Sequence, residues 1–382
     1  MNFSLTPAQV QLKESMARFA QAELSTDLQR RDRDQLFNRA GWQRCAEMGI
    51  QGLLTPQAYG GKGADPVTAV AALEGFGYGC LDNGLCFAVN AHLWGCSHPL
   101  LAFGTPAQKE KFLPGLCNGR WIGALAMSEP EAGSDAYSLR TSAERRGERY
   151  VLNGRKIFVT NGPLADVMVV LATLDPVKGA HGVTAFLVEK GTPGLECSAA
   201  VDKMGLRTAQ MGELRLENCE VPAESRLGDE GAGLALFNHA MEWERGFILA
   251  SAVGSMQRQL EQCRRHARTR RQFGKAIGAF QLVASKLVDM QMRLETSRML
   301  LYRVAWLKSI DRRAIVEAAM AKLHISEAWV QTAEDALQIH GGYGYLTDTG
   351  VERDLRDAIA SRLYSGTSEI QRQVIAQWMG VR

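Results

Sequence analysis

Two helical stretches enclose a middle section of short β-type runs, and this three-part pattern constrains the fold more than any other feature of the sequence. From Thr6 to about Gly119, and again from Gly233 onward, apolar residues recur at helical spacing with few breakers. Turn dipeptides divide the section between them into short apolar runs. Because helices and strands are segregated along the chain, we predict an α+β fold: an N-terminal helical domain over residues 1–120, a middle antiparallel β domain over 121–232 and a C-terminal helical bundle domain over 233–382.

Individual elements follow from the same signals. Thr6 before Pro7 is typical of a helix start, because proline at the first helical position often follows a capping hydroxyl. Asn153-Gly154 lies between two apolar runs and predicts a β-hairpin over residues 150–159. After Gly233 the helical period has few interruptions, so we expect long helices over residues 237–263, 281–309, 313–340 and 370–379.

Charge and cysteine usage exclude several classes of protein. The 382 residues include 44 Lys and Arg against 41 Asp and Glu, and this formal charge of +3 lacks the basic excess of a nucleic-acid-binding protein. The eight cysteines are scattered without a Cys-x-x-Cys pair, so we expect free thiols and no metal site. The N-terminus has no apolar signal-peptide region and no run of about 18 apolar residues occurs, so we expect a cytoplasmic protein without a membrane segment.

The most specific segment is the polar turn Ala126–Asp135, with the sequence AMSEPEAGSD. Pro130 fixes φ, and Gly133 permits a positive φ or a close backbone approach. Such a turn can present backbone N–H groups to a flat heterocycle, although an ordinary interdomain loop would have the same composition.

This turn resembles the signature of the acyl-CoA dehydrogenase family, and other motifs of that family occur in the family's order along essentially the whole chain. In its details the sequence is similar to the isovaleryl-CoA dehydrogenase branch and to prolyl dehydrogenases that act on carrier proteins. The resemblance implies the family fold: an N-terminal helical domain, a middle β domain and a C-terminal four-helix bundle. The further matching motifs are Tyr59–Gly61, Phe103–Thr105, Asn153–Lys156, Phe158–Gly162, Arg270–Gly274, Gln338–Gly342 and Tyr364–Thr367.

The resemblance also implies an FAD site. Phe158 stands where the family usually has tryptophan beside the isoalloxazine, and Thr160 follows as the usual hydrogen-bond donor. Arg270 is expected to bind the FAD diphosphate across a subunit boundary, because a planar guanidinium suits a diphosphate. Alternatively, Arg270 belongs to a solvated basic face with its arginine neighbours over residues 264–271. The other residues implied to bind FAD are Met127, Ser128, Gly133, Ser134, Gln272, Phe273, Gln281, Gln338, Gly341, Gly342 and Thr367.

Ser365 occupies the position at which most of the family carries its catalytic glutamate. A serine hydroxyl is a very poor base near pH 7, whereas desaturation of a thioester requires removal of the α proton. The isovaleryl-CoA dehydrogenase branch carries its base in a Glu-Arg pair at the start of the bundle, which corresponds to Glu244 and Arg245. Glu244 is therefore the predicted catalytic base, and a surface Glu-Arg helix pair is the alternative interpretation. The residues expected to contact the substrate are Ser134, Arg245 and Ser365, the last through its backbone N–H.

These motifs predict an FAD-dependent α,β-dehydrogenase of an acyl thioester, with hydride transfer to flavin N5. The acyl group is carried on an acyl or peptidyl carrier protein or on free CoA. The basic run over residues 264–271 either binds an acidic carrier protein or consists of charged surface residues that only keep the protein soluble. An electron-transfer flavoprotein or oxygen accepts the electrons. The alternatives are a flavin oxidase or monooxygenase on the same fold, and a binding protein with a defunct site.

A homotetramer is also expected. The family completes each FAD site between subunits, and Arg270 lies far along the chain from Ser128. The apolar segments Phe237–Val253 and Ile315–Leu337 further require more burial than one small bundle supplies.

Overall fold

The computed structural model describes residues 4–381, so the first three residues of the predicted N-terminal domain and the last residue of the C-terminal one lie outside the described residues. The helices, sheet and helices follow one another in the predicted α+β order. The N-terminal elements are α1 (Pro7–Glu23), α2 (Leu28–Asp34), α3 (Arg39–Glu47), α4 (Pro66–Gly79), α5 (Asn83–His92), a π-helical segment (Leu93–Ser97), α6 (His98–Phe103) and α7 (Pro106–Cys117).

Helix α1 begins at the predicted cap. The Thr6 side chain accepts the Gln9 backbone N–H at 3.3 Å, and the Gln9 side chain accepts the Thr6 N–H at 3.0 Å. This reciprocal capping box satisfies two N–H groups that the first helical turn would otherwise leave unpaired.

The middle section forms one mixed sheet. Within the described chain its order is β6-β7-β3-β2-β4-β5-β8, and β1 pairs with β4 off this path. Most neighbours are antiparallel as predicted, but β1 and β2 run parallel to β4. The strands are β1 (Gly123–Ala126), β2 (Ser142–Arg146), β3 (Arg149–Thr160), β4 (Val167–Thr173), β5 (Val183–Glu189), β6 (Leu195–Cys197), β7 (Met211–Pro222) and β8 (Arg226–Leu227).

The hairpin predicted at Asn153-Gly154 is wrong. Strand β3 runs straight through this dipeptide, and the hairpin turn lies earlier, between Arg146 and Arg149, where Gly147 has φ +61°. Gly154 instead lies at a register irregularity against β7. A β carbon on Gly154 would lie 2.4 Å from the Thr141 hydroxyl, so close backbone approach, not a turn, requires glycine here.

The C-terminal section is helical. The predicted helix over residues 237–263 is two helices that break at Ile248 and Leu249, and the helix Val351–Ile359 was not predicted. The predicted helix over residues 281–309 is confirmed. The elements are α8 (Gly233–Phe247), α9 (Ala250–Thr269), the short strands β9 (Arg271–Gln272) and β10 (Lys275–Ala276), α10 (Gln281–Ser309), α11 (Ile315–His340), α12 (Val351–Ile359) and α13 (Ser368–Trp378).

A single apolar core joins the N-terminal helices to the bundle. Trp42, Phe76 and Trp94 belong to the same buried cluster as Phe247 and Trp329. The two helical sections, separated in sequence by the sheet, therefore pack as one body. The bundle segments expected to need a partner subunit are largely buried within this chain.

All eight cysteines are free thiols. Over residues 4–381, no helix is long and apolar enough to cross a membrane, and no three His, Cys, Asp or Glu side chains are grouped to hold a metal ion.

Candidate active site

Glu244 and Ser365, which are far apart in the sequence, meet at the centre of the site. Glu244 lies near the C-terminal end of α8, and Ser365 lies in the loop between α12 and α13. The Ser365 hydroxyl donates a hydrogen bond to Oε1 of Glu244 at 2.5 Å. Burial raises the pKa of Glu244 above its ordinary value, although the Ser365 hydroxyl, Arg245 and Lys322 each act to lower it. A carboxylate with a raised pKa is better matched to removing a weakly acidic proton.

The loop that carries Ser365 is held by side chains from three helices. The Ser365 carbonyl accepts hydrogen bonds from Nε of Arg245 at 3.3 Å and from Nε2 of Gln371 at 3.1 Å. The Gly366 carbonyl accepts from Nζ of Lys322 at 2.7 Å and from Gln371 at 2.9 Å. Ser365 has φ +57°, a left-handed conformation that costs energy for a residue with a side chain. Such strain at a residue that contacts a partly buried carboxyl is typical of functional sites.

A small cavity adjoins this pair. Tyr364 directly precedes Ser365 in the chain. Ile248 lies one helical turn after Glu244 and donates its backbone N–H to the Glu244 carbonyl, so Tyr364 and Ile248 both border the site. The Phe87 and Tyr364 rings face each other with centroids 4.4 Å apart. The cavity is lined by residues including Phe87, Asn90, Ile248, Leu249, Ser251, Trp329 and Tyr364.

The signature turn is anchored on the sheet by a buried ion pair. Nζ of Lys156 lies 2.7 Å from Oε1 of Glu129 and 3.1 Å from the Met127 carbonyl. Glu129 also accepts the backbone N–H groups of Arg140 at 2.6 Å and Thr141 at 2.9 Å. These contacts fix the start and the end of the turn against β3. Sequence reasoning gave neither Lys156 nor Glu129 a role, although both lie inside matching motifs.

The predicted flavin-facing residues Met127, Ser128 and Phe158 come together where the signature turn, which follows β1, meets β3. The Ile157 N–H donates to the Ser128 carbonyl at 2.9 Å, which places Phe158 beside the signature turn. Phe158 has 66% of its surface exposed and φ +55°, so it is both strained and without a packing partner over most of its ring. A flat heterocycle stacked beside it would account for both features. Thr160 ends the same strand.

Gly133 and Ser134 lie on the exposed part of the turn, with open space around Gly133. The same segment reaches α8, because the Tyr137 hydroxyl donates to the Asn238 side chain at 2.7 Å. Of the three predicted substrate contacts, Arg245 and Ser365 touch each other. Ser134 lies on the segment that Tyr137 connects to α8, the helix that carries Arg245.

The remaining predicted FAD residues form a second group, at the end of α9 and α11. The Arg270 guanidinium lies 5.7 Å from the ring centroid of Tyr343, directly after Gly341 and Gly342. Phe273 has 91% of its surface exposed and contacts Phe280 edge-on. This group belongs to the C-terminal domain, whereas the signature turn belongs to the middle domain. Its members are Arg270, Gln272, Phe273, Gln281, Gln338, Gly341 and Gly342; Thr367 instead caps α13 next to Ser365.

The basic run over residues 264–271 lies at the C-terminal end of α9. Its arginines are exposed, and no salt bridge involving them occurs in the described part of the chain. The other end of α9 adjoins Glu244, and at about 1.5 Å per residue this 20-residue helix separates the two by roughly 20–30 Å.

Comparison with known proteins places the chain in a family. Three family models match it in order: the acyl-CoA dehydrogenase N-terminal domain over residues 6–120, the middle domain over 124–219 and the C-terminal domain over 231–380. The chain therefore belongs to the acyl-CoA dehydrogenase family, which confirms the resemblance seen in the sequence.

Several relatives share nearly the full length. The chain is 42% identical over 342 residues to an L-prolyl-[peptidyl-carrier protein] dehydrogenase of Pseudomonas fluorescens, covering 89% of this chain and 90% of the relative. The crystal structure of the prolyl acyl carrier protein oxidase AnaB is 57% identical, with a TM-score of 0.98 over 99% of this chain and 100% of that one. A structure of PigA with FAD and proline is 39% identical, with a TM-score of 0.98 over the full length of both chains.

Proposed function

We propose that this member of the family is an FAD-dependent dehydrogenase of a small acyl group, an L-prolyl group held as a thioester on a carrier protein, with Glu244 as the base. The observation that carries the proposal is the hydrogen-bonded Glu244–Ser365 pair next to the largely apolar residues around Phe87 and Tyr364. These residues supply an apolar surface for the acyl group, and the partly buried carboxyl supplies the proton acceptor that desaturation needs.

The chemistry breaks two C–H bonds of the acyl group and forms one Cα=Cβ double bond. The Glu244 carboxylate takes the α hydrogen as a proton. FAD, when bound, accepts the β hydrogen together with its electron pair as a hydride. The cationic side chains of Arg245 and Lys322, held on the carbonyls of the Ser365–Gly366 loop, add positive potential where the thioester carbonyl gains negative charge.

We assign FAD to both predicted groups of residues, the one at the signature turn and the one around Arg270. The exposed face of Phe158 with Met127, Ser128, Gly133, Ser134 and Thr160 suits the isoalloxazine. The unpaired guanidinium of Arg270 suits the diphosphate. Since the family completes each FAD site between subunits, we assign the Arg270 group to a neighbouring subunit; its other members are Gln272, Phe273, Gln281, Gln338, Gly341 and Gly342. Thr367, which lies next to Ser365, is assigned to the FAD of the subunit that supplies Ser365.

The carrier-linked substrate is inferred from the relatives. AnaB and the Pseudomonas relative are both described as acting on prolyl groups of carrier proteins, and they share most or all of their length with this chain. We give the basic run over residues 264–271 no docking role, because it lies at the far end of α9 from Glu244.

Oxygen is the electron acceptor that we favour, because the 57%-identical AnaB is described as an oxidase. Two electrons and two protons then convert oxygen to hydrogen peroxide. In the alternative, an electron-transfer flavoprotein takes the electrons. An oxidase forms hydrogen peroxide in the same amount as the unsaturated product and gives no hydroxylated product. That result would support the oxidase and contradict a monooxygenase.

A homo-oligomer, a tetramer by family resemblance, is supported by an exposed apolar stripe on α10. The side chains recur four and seven residues apart, which places them on one side of the helix. Such a long exposed apolar surface is typical of a protein–protein interface. The stripe consists of Val288, Met292, Met299 and Trp306 on α10, with Ile310 directly after the helix ends, and each is between 46% and 63% exposed.

The test is a competition under anaerobic conditions. L-prolyl thioesters of a phosphopantetheinylated carrier protein and of CoA are mixed separately with the FAD-loaded protein at equal concentration, and flavin bleaching is followed. Faster bleaching by the carrier thioester is expected, and the same carrier bearing a long-chain acyl group should be inert. Equal or faster bleaching by the CoA ester contradicts the carrier; no bleaching by any thioester contradicts the dehydrogenase.

A further inference from the structure

We infer that the Ser365 hydroxyl is a positioning group for Glu244, which holds the carboxylate in one orientation towards the acyl site. The inference rests on the proposed function, in which Glu244 is the base. Its starting point is the 2.5 Å hydrogen bond from Oγ of Ser365 to Oε1 of Glu244. The residue at the family's usual base position thus acts on the base that has replaced it.

The contacts of Glu244 show why a positioning group is needed. A glutamate side chain has several rotatable bonds, and fixing them costs conformational entropy. Its neighbour Arg245 does not fix them, because Nε of Arg245 bonds the Ser365 carbonyl instead. Among the described residues Glu244 forms no salt bridge, and its carboxylate accepts a hydrogen bond from the Ser365 hydroxyl. The surface Glu-Arg pair considered from the sequence does not form.

A hydroxyl is the appropriate donor for this task. A directly paired cation would stabilise the carboxylate strongly and weaken it as a base. A neutral hydroxyl orients the same oxygen with a smaller effect on basicity. It also leaves the second carboxylate oxygen available for the α proton.

The Ser365 hydroxyl can orient Glu244 only if Ser365 itself is fixed, and three helices fix it. Arg245 comes from α8, Lys322 from α11 and Gln371 from α13, and all bond the carbonyls of Ser365 or Gly366. The positive φ of Ser365 shows that this clamp overrides the local backbone preference.

The test removes the hydroxyl in two ways. Ser365→Ala keeps a β carbon, whereas Ser365→Gly also suits a φ of +57°, so a shared effect belongs to the hydroxyl and not to the loop. In both variants we expect the rate of flavin reduction to fall about tenfold at its high-pH plateau. The rising limb of the rate against pH should also move up by about one pH unit, because the carboxylate loses a donor that stabilises its charged form.

A structural readout complements the kinetics. Crystals of FAD-loaded Ser365→Ala should show the Glu244 carboxyl in more than one orientation. Ser368→Ala is the matched control, since Ser368 also donates to a carboxylate, that of Glu327 at 2.6 Å, outside the site. It should leave the pH profile unchanged.

Two results would overturn the inference. One is an unchanged pH limb with a single Glu244 orientation in both variants. The other is a loss of about a thousandfold, which would make the hydroxyl itself an acid–base group. Glu244→Gln separates this inference from the proposed function: if that variant reduces its flavin at the native rate, the proposed function fails, whatever Ser365 does.

Discussion

The ammonium of Lys156 lies 2.7 Å from a carboxylate oxygen of Glu129, and both side chains are buried beneath the signature turn. Burial lowers the pKa of Lys156 to about 8, against the opposing effect of Glu129. Burial also acts to raise the pKa of Glu129, but Lys156, Thr141 and the Arg140 N–H outweigh it and leave that pKa below its usual value. Each charge is therefore stable in this position because of the other.

Removing one member of this pair should destabilise the protein and release FAD. Lys156→Met leaves the Glu129 carboxylate buried without its cation, a change that costs about 3–5 kcal/mol. Denaturant unfolding and the flavin absorbance of the purified protein measure the two effects. Arg155→Met is the control, because the neighbouring Arg155 is exposed and its pair with Glu213 is worth about 1 kcal/mol or less. Equal stability of the two variants would contradict this account.

Two buried histidines should make the protein sensitive to acid. Burial lowers the pKa of His92 and of His98 from 6.5 to about 3. Between these pH values the unfolded chain binds protons that the folded chain does not bind. The free energy of unfolding therefore falls as the pH drops from 6.5 towards 3, by about 1.4 kcal/mol per pH unit for each histidine. His92 is further held neutral because its Nδ1 accepts the Gly123 N–H at 2.9 Å.

The measurement is the free energy of unfolding at several pH values. His98→Leu should flatten its slope below pH 6.5, whereas His181→Gln, at an exposed position, should not. A slope in His98→Leu as steep as in the parent protein would exclude His98 as a source of the acid sensitivity.

The sequence predicted the fold well where a local pattern determines the structure, and less well where contacts between domains do. The capped start of α1 at Thr6 and the long helix over residues 281–309 depend on neighbouring residues alone. The hairpin prediction at Asn153-Gly154 was wrong because Gly154 is needed for its close approach to a distant residue, Thr141, and not for a turn.

The same distinction between local patterns and distant contacts applies to the candidate site. Family motifs predicted Glu244 and Ser365 separately, but no local signal indicates that Ser365 bonds Glu244 or that Lys322 and Gln371 hold its loop. The group of residues beside this pair was also beyond prediction, since α5, the junction of α8 and α9, α11 and Tyr364 meet only in the folded chain.

The apolar stripe on α10 should be an interface between subunits. Met299→Glu and Trp306→Glu place a charge in that interface, so we expect smaller particles in light scattering than the parent oligomer. FAD content should fall with them, because the Arg270 group is proposed to reach a neighbouring subunit. Val177→Glu is the control, since Val177 is 94% exposed on the middle domain. A parent protein that is monomeric with FAD fully bound would contradict the shared site.

Glu244 should control the rate and its pH dependence. Because burial raises the pKa of Glu244, flavin reduction should rise with pH through a midpoint above the ordinary glutamate value of 4.5. Glu244→Gln keeps the shape of the side chain but cannot accept a proton, so it should bind FAD and substrate while flavin reduction slows by about 10²–10⁴-fold. Glu369→Gln, at an exposed position near the same loop, should behave like the parent. A near-native rate in Glu244→Gln would mean that the base is Glu369, water or Glu242 instead. Glu242 is the weakest of these, since it is already bound to Lys308 and to the Ala314 N–H at 2.7 Å each.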